Sequence, residues 1–239
     1  MQIEHFTIDE RFCGPPKSGN GGYTAGRMAA HLLGTVAARL KAPPPLGVEL
    51  RLESSASEAR LFDGTTLLGE AKPTTLELTP PPCPPYAEAE AAVAGFPGFT
   101  THNFPGCFVC GPERAAHDGL RIFPGPLHGT TTLAAPWLPD ASLADTAGIV
   151  KPEFIWAALD CAGAFALYPI PDGLAIVLGE LVVSTLAPLQ ADEQCVVLGW
   201  PLGSEGRKRF AGTALYGADQ RLVAVARAVW VEVPASSWN

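Results

Sequence analysis

Apolar residues crowd almost every side of a helical projection between Lys151 and Tyr168. Phe154, Ala157, Ala158, Cys161, Ala164, Phe165 and Tyr168 form one stripe, and Ile155, Leu159, Ala162 and Ala166 form a second, so a helix with little access to water is predicted. Its limits are marked by Pro152 at the first helical position, Glu153 near the positive N-terminus, and Pro169, which stops the element. A helix this apolar needs other structure around it. Its length, and the Gly and Pro that interrupt it, favour burial inside a soluble sheet over a membrane span. A single acid, Asp160, falls in its middle.

Elsewhere the pattern alternates between periods. Gln2 to Phe12 reads as a strand, and the glycine-rich turn Cys13 to Gly22 leads from it into a second helical repeat. Met28, Ala29, Leu32, Leu33, Val36 and Leu40 recur at helical spacing with Arg27 and Arg39 left for solvent, which predicts an amphipathic helix running to the stop at Pro43, Pro44 and Pro45. Leu46 to Leu52 then has a period of two, and Ala59 to Ala71 reads as two strands around Asp63 and Gly64. Five prolines between Pro80 and Pro85 make a stiff connector, followed by a short helix over Tyr86 to Val93. Residues 101–126 are dense in Gly and Pro and predict a structured loop. Beyond it come a strand over Thr130 to Ala135, the apolar helix, and strands over Leu174–Leu186, Cys195–Trp200, Arg207–Tyr216 and Arg221–Val233.

The halves echo one another. APPPLGVELRL at 42–52 parallels APLQADEQCVVL at 187–198, and RLFDGTTLLGEA at 60–71 parallels ALYGADQRLVAVA at 214–226, each set preceded by a helix. A repeat of this length predicts internal duplication of a whole strand, helix and sheet module. The expected organisation is an N-terminal module over 1–85, a linker with the CxxC loop over 86–128, and a C-terminal module over 129–239. Because the first helix runs almost directly into its proline turn, the first module is expected to be short of one strand.

The totals narrow the class. A chain of 239 residues with 47% hydrophobic content can build a core without disulfide staples. Charged residues are 17%, below the soluble average of about 25%, which points to surface covered by a partner and so to a homo-oligomer. The net charge of −8 and the lack of a basic run exclude general nucleic-acid binding. Met1 to Phe12 carries His, Glu and Asp and has no continuous signal-peptide core, so a cytoplasmic protein is expected, with its six cysteines kept as thiols.

One helix embedded in a curled antiparallel sheet, twice in a chain, resembles the double hotdog fold of the acyl-CoA thioesterase-like superfamily. The resemblance is carried by SGNGGYTAG at 18–26, opening the first helix, and IWAALDCAGA at 155–164, placing an acid inside the second. It implies an α+β class: a tandem hotdog with antiparallel sheets, each wrapping a central helix. Hotdog hydratases and dehydratases also belong to this fold, but the Asp then His at short helical spacing, and the Asn, Pro and His loop, are missing here. Hydration chemistry is therefore ranked lower.

The resemblance further implies a cleft shared by the modules, where amides at one helix start face a carboxylate from the opposite helix. Gly21, Gly22 and Tyr23 supply amides for a thioester oxygen, and Asp160 either activates water or attacks the acyl carbon. Desolvation raises the pKa of such an acid unless donors hold its charge, and Asn20, Thr24 and Thr185 are candidates for that role. Structural readings compete: a buried acid bonded within the core, a tight glycine turn, and Asn20 as a helix cap. Arg207 and Lys208, beside Arg209, either meet coenzyme A phosphates or form a solvated turn. Cys107 and Cys110 in CFVCG, with His102 and His117, either complete a tetrahedral zinc site or pack as small residues in a glycine-rich loop. No other cofactor is required. The function expected is hydrolysis of an acyl thioester, with acyl-CoA as ligand; the alternative is a noncatalytic acyl-CoA or acyl-ligand binding protein.

Overall fold

The computed structural model describes residues 1–238. The first half contains β1 (Gln2–Thr7), α1 (Gly21–Ala29), β2 (Val36–Leu40), β3 (Glu49–Ser54), β4 (Ala59–Asp63) and β5 (Thr66–Pro73). After α2 (Tyr86–Ala92) and the two-residue β6 (Gly125–Pro126), the second half contains β7 (Leu133–Trp137), α3 (Pro152–Phe165), β8 (Leu174–Thr185), β9 (Cys195–Glu205), β10 (Lys208–Tyr216) and β11 (Leu222–Pro234). All strands join one 11-stranded sheet in the order β1-β3-β4-β5-β2-β8-β11-β10-β9-β7-β6, with every pairing antiparallel. The halves are mirror-ordered. In each, a strand and a helix precede four strands, and the arrays meet at the antiparallel pair β2–β8, where Val36 faces Val183 and Arg39 faces Glu180.

The predicted first helix is shorter than its apolar repeat. α1 ends at Ala29, Gly34 turns the chain at φ +76°, and Val36–Leu40 is a strand with Val36 and Ala38 buried. Pairing on both edges, to β5 and to β8, outweighs the helical period, and Leu33 is left exposed. The first half therefore contains the strand whose absence was expected.

Both helices lie on one face of the sheet and against each other. Their close approach depends on Gly22 and Gly26, one turn apart on α1: a Cβ at Gly22 would stand 2.7 Å from both Asp160 Cβ and Trp156 O, and one at Gly26 2.5 Å from Glu153 Cα. α3 is buried continuously from Phe154 to Phe165, each large side chain contributing about 1.5–3 kcal/mol by removal from water. The segment between the halves covers both faces of the second array. Leu76, Leu78, Tyr86 and Ala89 pack on its outer side over Leu198, Trp200 and Tyr216, and Tyr216 Oη donates to Pro81 O at 2.6 Å. Phe108, Val109 and Ile122 are fully buried in the main core with the helices, and Phe108 sets its edge on Phe12, which stacks on Tyr23. No helix among the described residues is long and apolar enough to cross a membrane.

Candidate active site

Asn20 caps α1: its Oδ1 accepts the Tyr23 N–H at 2.9 Å, and its backbone is fixed by the Thr24 hydroxyl, which donates to Asn20 O at 2.9 Å. That leaves the Asn20 amide Nδ2 free to point across to the other half, where it donates to Asp160 Oδ2 at 3.0 Å. Gly22 N donates to the same oxygen at 2.9 Å. The carboxyl of α3 is thus held by the start of α1. The close helix contact that needs Gly22 is also what brings that N–H within reach.

The other oxygen is free. Asp160 Oδ1 and Trp230 Nε1 are the two buried side-chain polar atoms without a hydrogen-bond partner among the described residues, and both residues line one cavity of about 270 Å³. Unpaired buried polar atoms are uncommon and call for an explanation, and these two belong to residues that line one cavity. Gly21 also lines this cavity, and its N–H, at the first helical position, donates to no acceptor among the described residues. Burial pushes the Asp160 carboxyl up to about 7; the Gly22 N–H and Asn20 amide oppose this, and negative charge on Cys107 adds to it. Phe104, Phe165, Ile176 and Leu178 give the cavity an apolar wall.

Three thiols stand beside this acid. Cys107 and Cys110 form a knuckle closed by Gly111 N donating to Cys107 O at 2.9 Å, and Cys161, the residue after Asp160, reaches Cys107 with its Sγ at 3.7 Å. All three Sγ atoms lie within 4.8 Å of one another. Hydrogen bonds from the Cys110 and Cys161 thiols, and from the Cys110 and Val109 N–H groups, hold the Cys107 thiol well below its usual range. Burial, and hydrogen bonding to Cys107, push Cys110 up, and hydrogen bonds to Cys107 and Cys110 do so for Cys161.

Not every predicted residue gathers here. His102 lines the cavity, but its Nδ1 accepts the Phe104 N–H at 3.0 Å and its Nε2 donates to Cys110 O at 3.2 Å, so both ring nitrogens are used by backbone. Burial lowers its pKa, against the opposing pull of charge on Cys107. His117 is exposed, takes φ +67°, and meets Asp140 Oδ2 at 2.7 Å. The two-Cys, two-His set is therefore not assembled; Cys161 takes the third position, unsuspected because an apolar helix disguises a cysteine as core. Thr185 lies exposed at the end of β8, about 20 Å along the strand from Gly179, and is no donor to Asp160. Arg207 and Lys208 are exposed at the β9–β10 turn and do not line the cavity. Trp230 gave no signal in the sequence beyond a strand aromatic.

No protein-family model matches this sequence, and no curated protein matches it. Solved structures do match in shape. A hot dog fold protein from Alicyclobacillus acidocaldarius is 12% identical, with TM-score 0.60, 97% of this chain covered and 93% of that one. The acyl-CoA thioesterase II TesB2 from Mycobacterium marinum is 10% identical, with TM-score 0.61, covering 99% and 94%. The tesB protein of Mycobacterium avium subspecies paratuberculosis is 12% identical, with TM-score 0.60, covering 90% and 88%. The chain has the hotdog fold over nearly its whole length.

Proposed function

We propose that this protein hydrolyses acyl thioesters, with Asp160 as general base. The observation that carries the reading is the division of labour within one carboxyl: Oδ2 is anchored by two donors from the opposite half, and Oδ1 has no partner on a residue that lines an apolar cavity. A group anchored on one oxygen is oriented without losing its capacity to accept a proton. A carboxyl with a pKa of about 7 is also matched to proton transfer near neutrality.

In this reading Oδ1 takes a proton from water as the water oxygen attacks the thioester carbonyl carbon. Negative charge then develops on the carbonyl oxygen, and the Gly21 N–H, at the positive end of α1, is the free donor available to it. Gly22 and Tyr23, whose N–H groups were candidates for the same task, are committed to Asp160 and Asn20. Collapse of the tetrahedral intermediate breaks the C–S bond, and Asp160 returns its proton to the leaving thiolate. The Trp230 indole N–H, unpaired on another residue that lines the cavity, is a second donor that a ligand carbonyl could meet after a small shift of the ring.

Acyl-CoA is the substrate class favoured by the apolar wall and by the likeness to a structure called an acyl-CoA thioesterase II. Among the described residues Lys41, which pairs with Glu70 at 3.1 Å, is the Lys or Arg that lines the cavity, so a phosphate-bearing substrate would meet it before Arg207 or Lys208. The test is hydrolysis of short, long and aromatic acyl-CoAs by the reduced protein, followed by release of free thiol. Turnover of at least one class is expected; tight binding with no turnover of any would replace the enzyme reading with an acyl-ligand binding protein.

A further inference from the structure

We infer that Cys107, Cys110 and Cys161 form a binding site for a soft d10 cation, with Zn²⁺ its expected occupant. Three sulfur atoms from two distant parts of the chain converge within 4.8 Å, all buried, and no other His, Asp or Glu joins the group among the described residues. A tetrahedral zinc with Zn–S bonds of about 2.3 Å separates its sulfur ligands by about 3.8 Å. Cys107 and Cys161 already stand 3.7 Å apart, so binding requires small rotations of side chains rather than movement of α3.

The surroundings suit thiolates. The Asn20 amide Nδ2 points at the Cys107 sulfur from 3.9 Å, and the Cys161 thiol meets it at 3.7 Å. An amide donor aimed at a sulfur stabilises negative charge on it, yet no Lys or Arg among the described residues makes a hydrogen bond to any of the three cysteines to balance that charge. A bound divalent ion supplies the balance. Thiolate sulfur also selects among metals, favouring zinc and similarly soft ions over magnesium or calcium. Because all three cysteines line the cavity, the fourth coordination position opens on the cavity rather than on a protein ligand. Three protein ligands and one open position are the pattern of exchangeable rather than closed zinc sites.

The ion would also join two elements that otherwise meet through packing and the Cys107–Cys161 thiol contact, the 101–126 loop and the middle of α3. Metal affinity would then appear as folding stability.

The experiment is metal analysis of full-length protein purified under reducing conditions, paired with titration of the metal-free protein by cobalt(II). About one zinc per chain is expected, with a thiolate-to-cobalt charge-transfer band that zinc abolishes. Cys110→Ala and Cys161→Ala should each lower zinc affinity by at least roughly tenfold, while Cys83→Ala, outside the cluster, should leave it unchanged. Chelation should lower the melting temperature of the wild type and not of a folded Cys161→Ala variant. A folded, reduced wild type with neither zinc nor a cobalt band would overturn the site, as would Cys161→Ala protein that keeps full affinity. A disulfide joining two of the three cysteines in freshly purified protein would overturn it too. Should the alanine variants not fold, the wild-type cobalt titration decides alone. None of these readouts involves turnover, so the site and the hydrolase reading stand or fall separately.

Discussion

Asp160→Asn is the substitution with the most to reveal, because activity and stability should move in opposite directions. The amide has nearly the shape of the acid, and its Oδ1 can take over the bonds from Gly22 N and Asn20 Nδ2 that Asp160 Oδ2 accepts at 2.9 and 3.0 Å. It cannot accept a proton, so hydrolysis should fall by about 10²-fold or more. Stability follows from the carboxyl being raised from 3.8 to about 7. A group whose folded pKa lies above its unfolded value stabilises fully below the unfolded pKa and loses that contribution as pH rises through the folded one. The window is therefore about pH 4 to 7, and about three units correspond to roughly 4 kcal/mol. Against this, the new Nδ2 occupies the place where Oδ1 has no partner, and an unpaired buried donor costs about 1–3 kcal/mol. At pH 9 a net gain on the order of 2 kcal/mol is expected for the variant, shrinking and reversing towards pH 5. Urea unfolding of reduced, chelator-treated protein at both pH values measures it. Wild-type turnover in a folded Asp160→Asn protein would remove the acid from the chemistry, and a stability difference that does not vary with pH would refute the picture of a dehydrated carboxyl.

Further tests probe the surrounding frame. Trp230→Phe keeps the ring and deletes the unpaired N–H, so KM or kcat should worsen by about tenfold, as for loss of one hydrogen bond to substrate, with folding retained; unchanged kinetics would show that the indole donor meets no ligand. Gly22→Ala would force a Cβ to 2.7 Å from Asp160 Cβ, and thermal melts should show a loss of about 1–3 kcal/mol or more together with activity. Tyr216→Phe removes the 2.6 Å bond to Pro81 O and should cost about 1 kcal/mol by urea titration, without affecting hydrolysis, since Tyr216 lies on the outer face of the sheet.

The fold was readable where local signals agreed with the tertiary arrangement. α3 is bracketed by Pro152 and Pro169 and apolar throughout, so no alternative pairing competes for it. β4 and β5, like β10 and β11, are close in sequence around a turn, and their echo carried the tandem reading. Val36–Leu40 fits a helix as well as a strand by its apolar spacing; what decides the matter is partners distant in sequence, β5 on one edge and β8, nearly 150 positions away, on the other. The candidate site was legible in the same proportion. Asp160, Gly22 and Asn20 meet because each stands on a helix whose start or middle the sequence marks. Thr185 was misplaced by lack of any measure of how far along β8 the cavity extends. Cys161 and Trp230 were missed because burial makes them look like packing until the atoms beside them are seen.

The middle of α3 then acquires a physical explanation. Successive helical residues point about 100° apart, so Asp160, Cys161 and Gly163 face three different neighbours from little more than one half-turn to a full turn of helix. Asp160 turns to the start of α1, Cys161 to the Cys107 knuckle, and Gly163 to the sheet, where a Cβ would stand 3.1 Å from Thr213 and 3.5 Å from the Trp230 indole nitrogen. The three contacts span about 160° of the helix, and burial of the remaining side keeps the whole turn away from solvent. A single turn thus brings together an acid from one half of the fold, donors from the other and thiols from the loop between them. Burial of this turn raises the acid's pKa, and because perturbed acids in a cleft concentrate at functional sites but also occur in structural networks, the pH dependence and turnover of Asp160→Asn together separate the two roles.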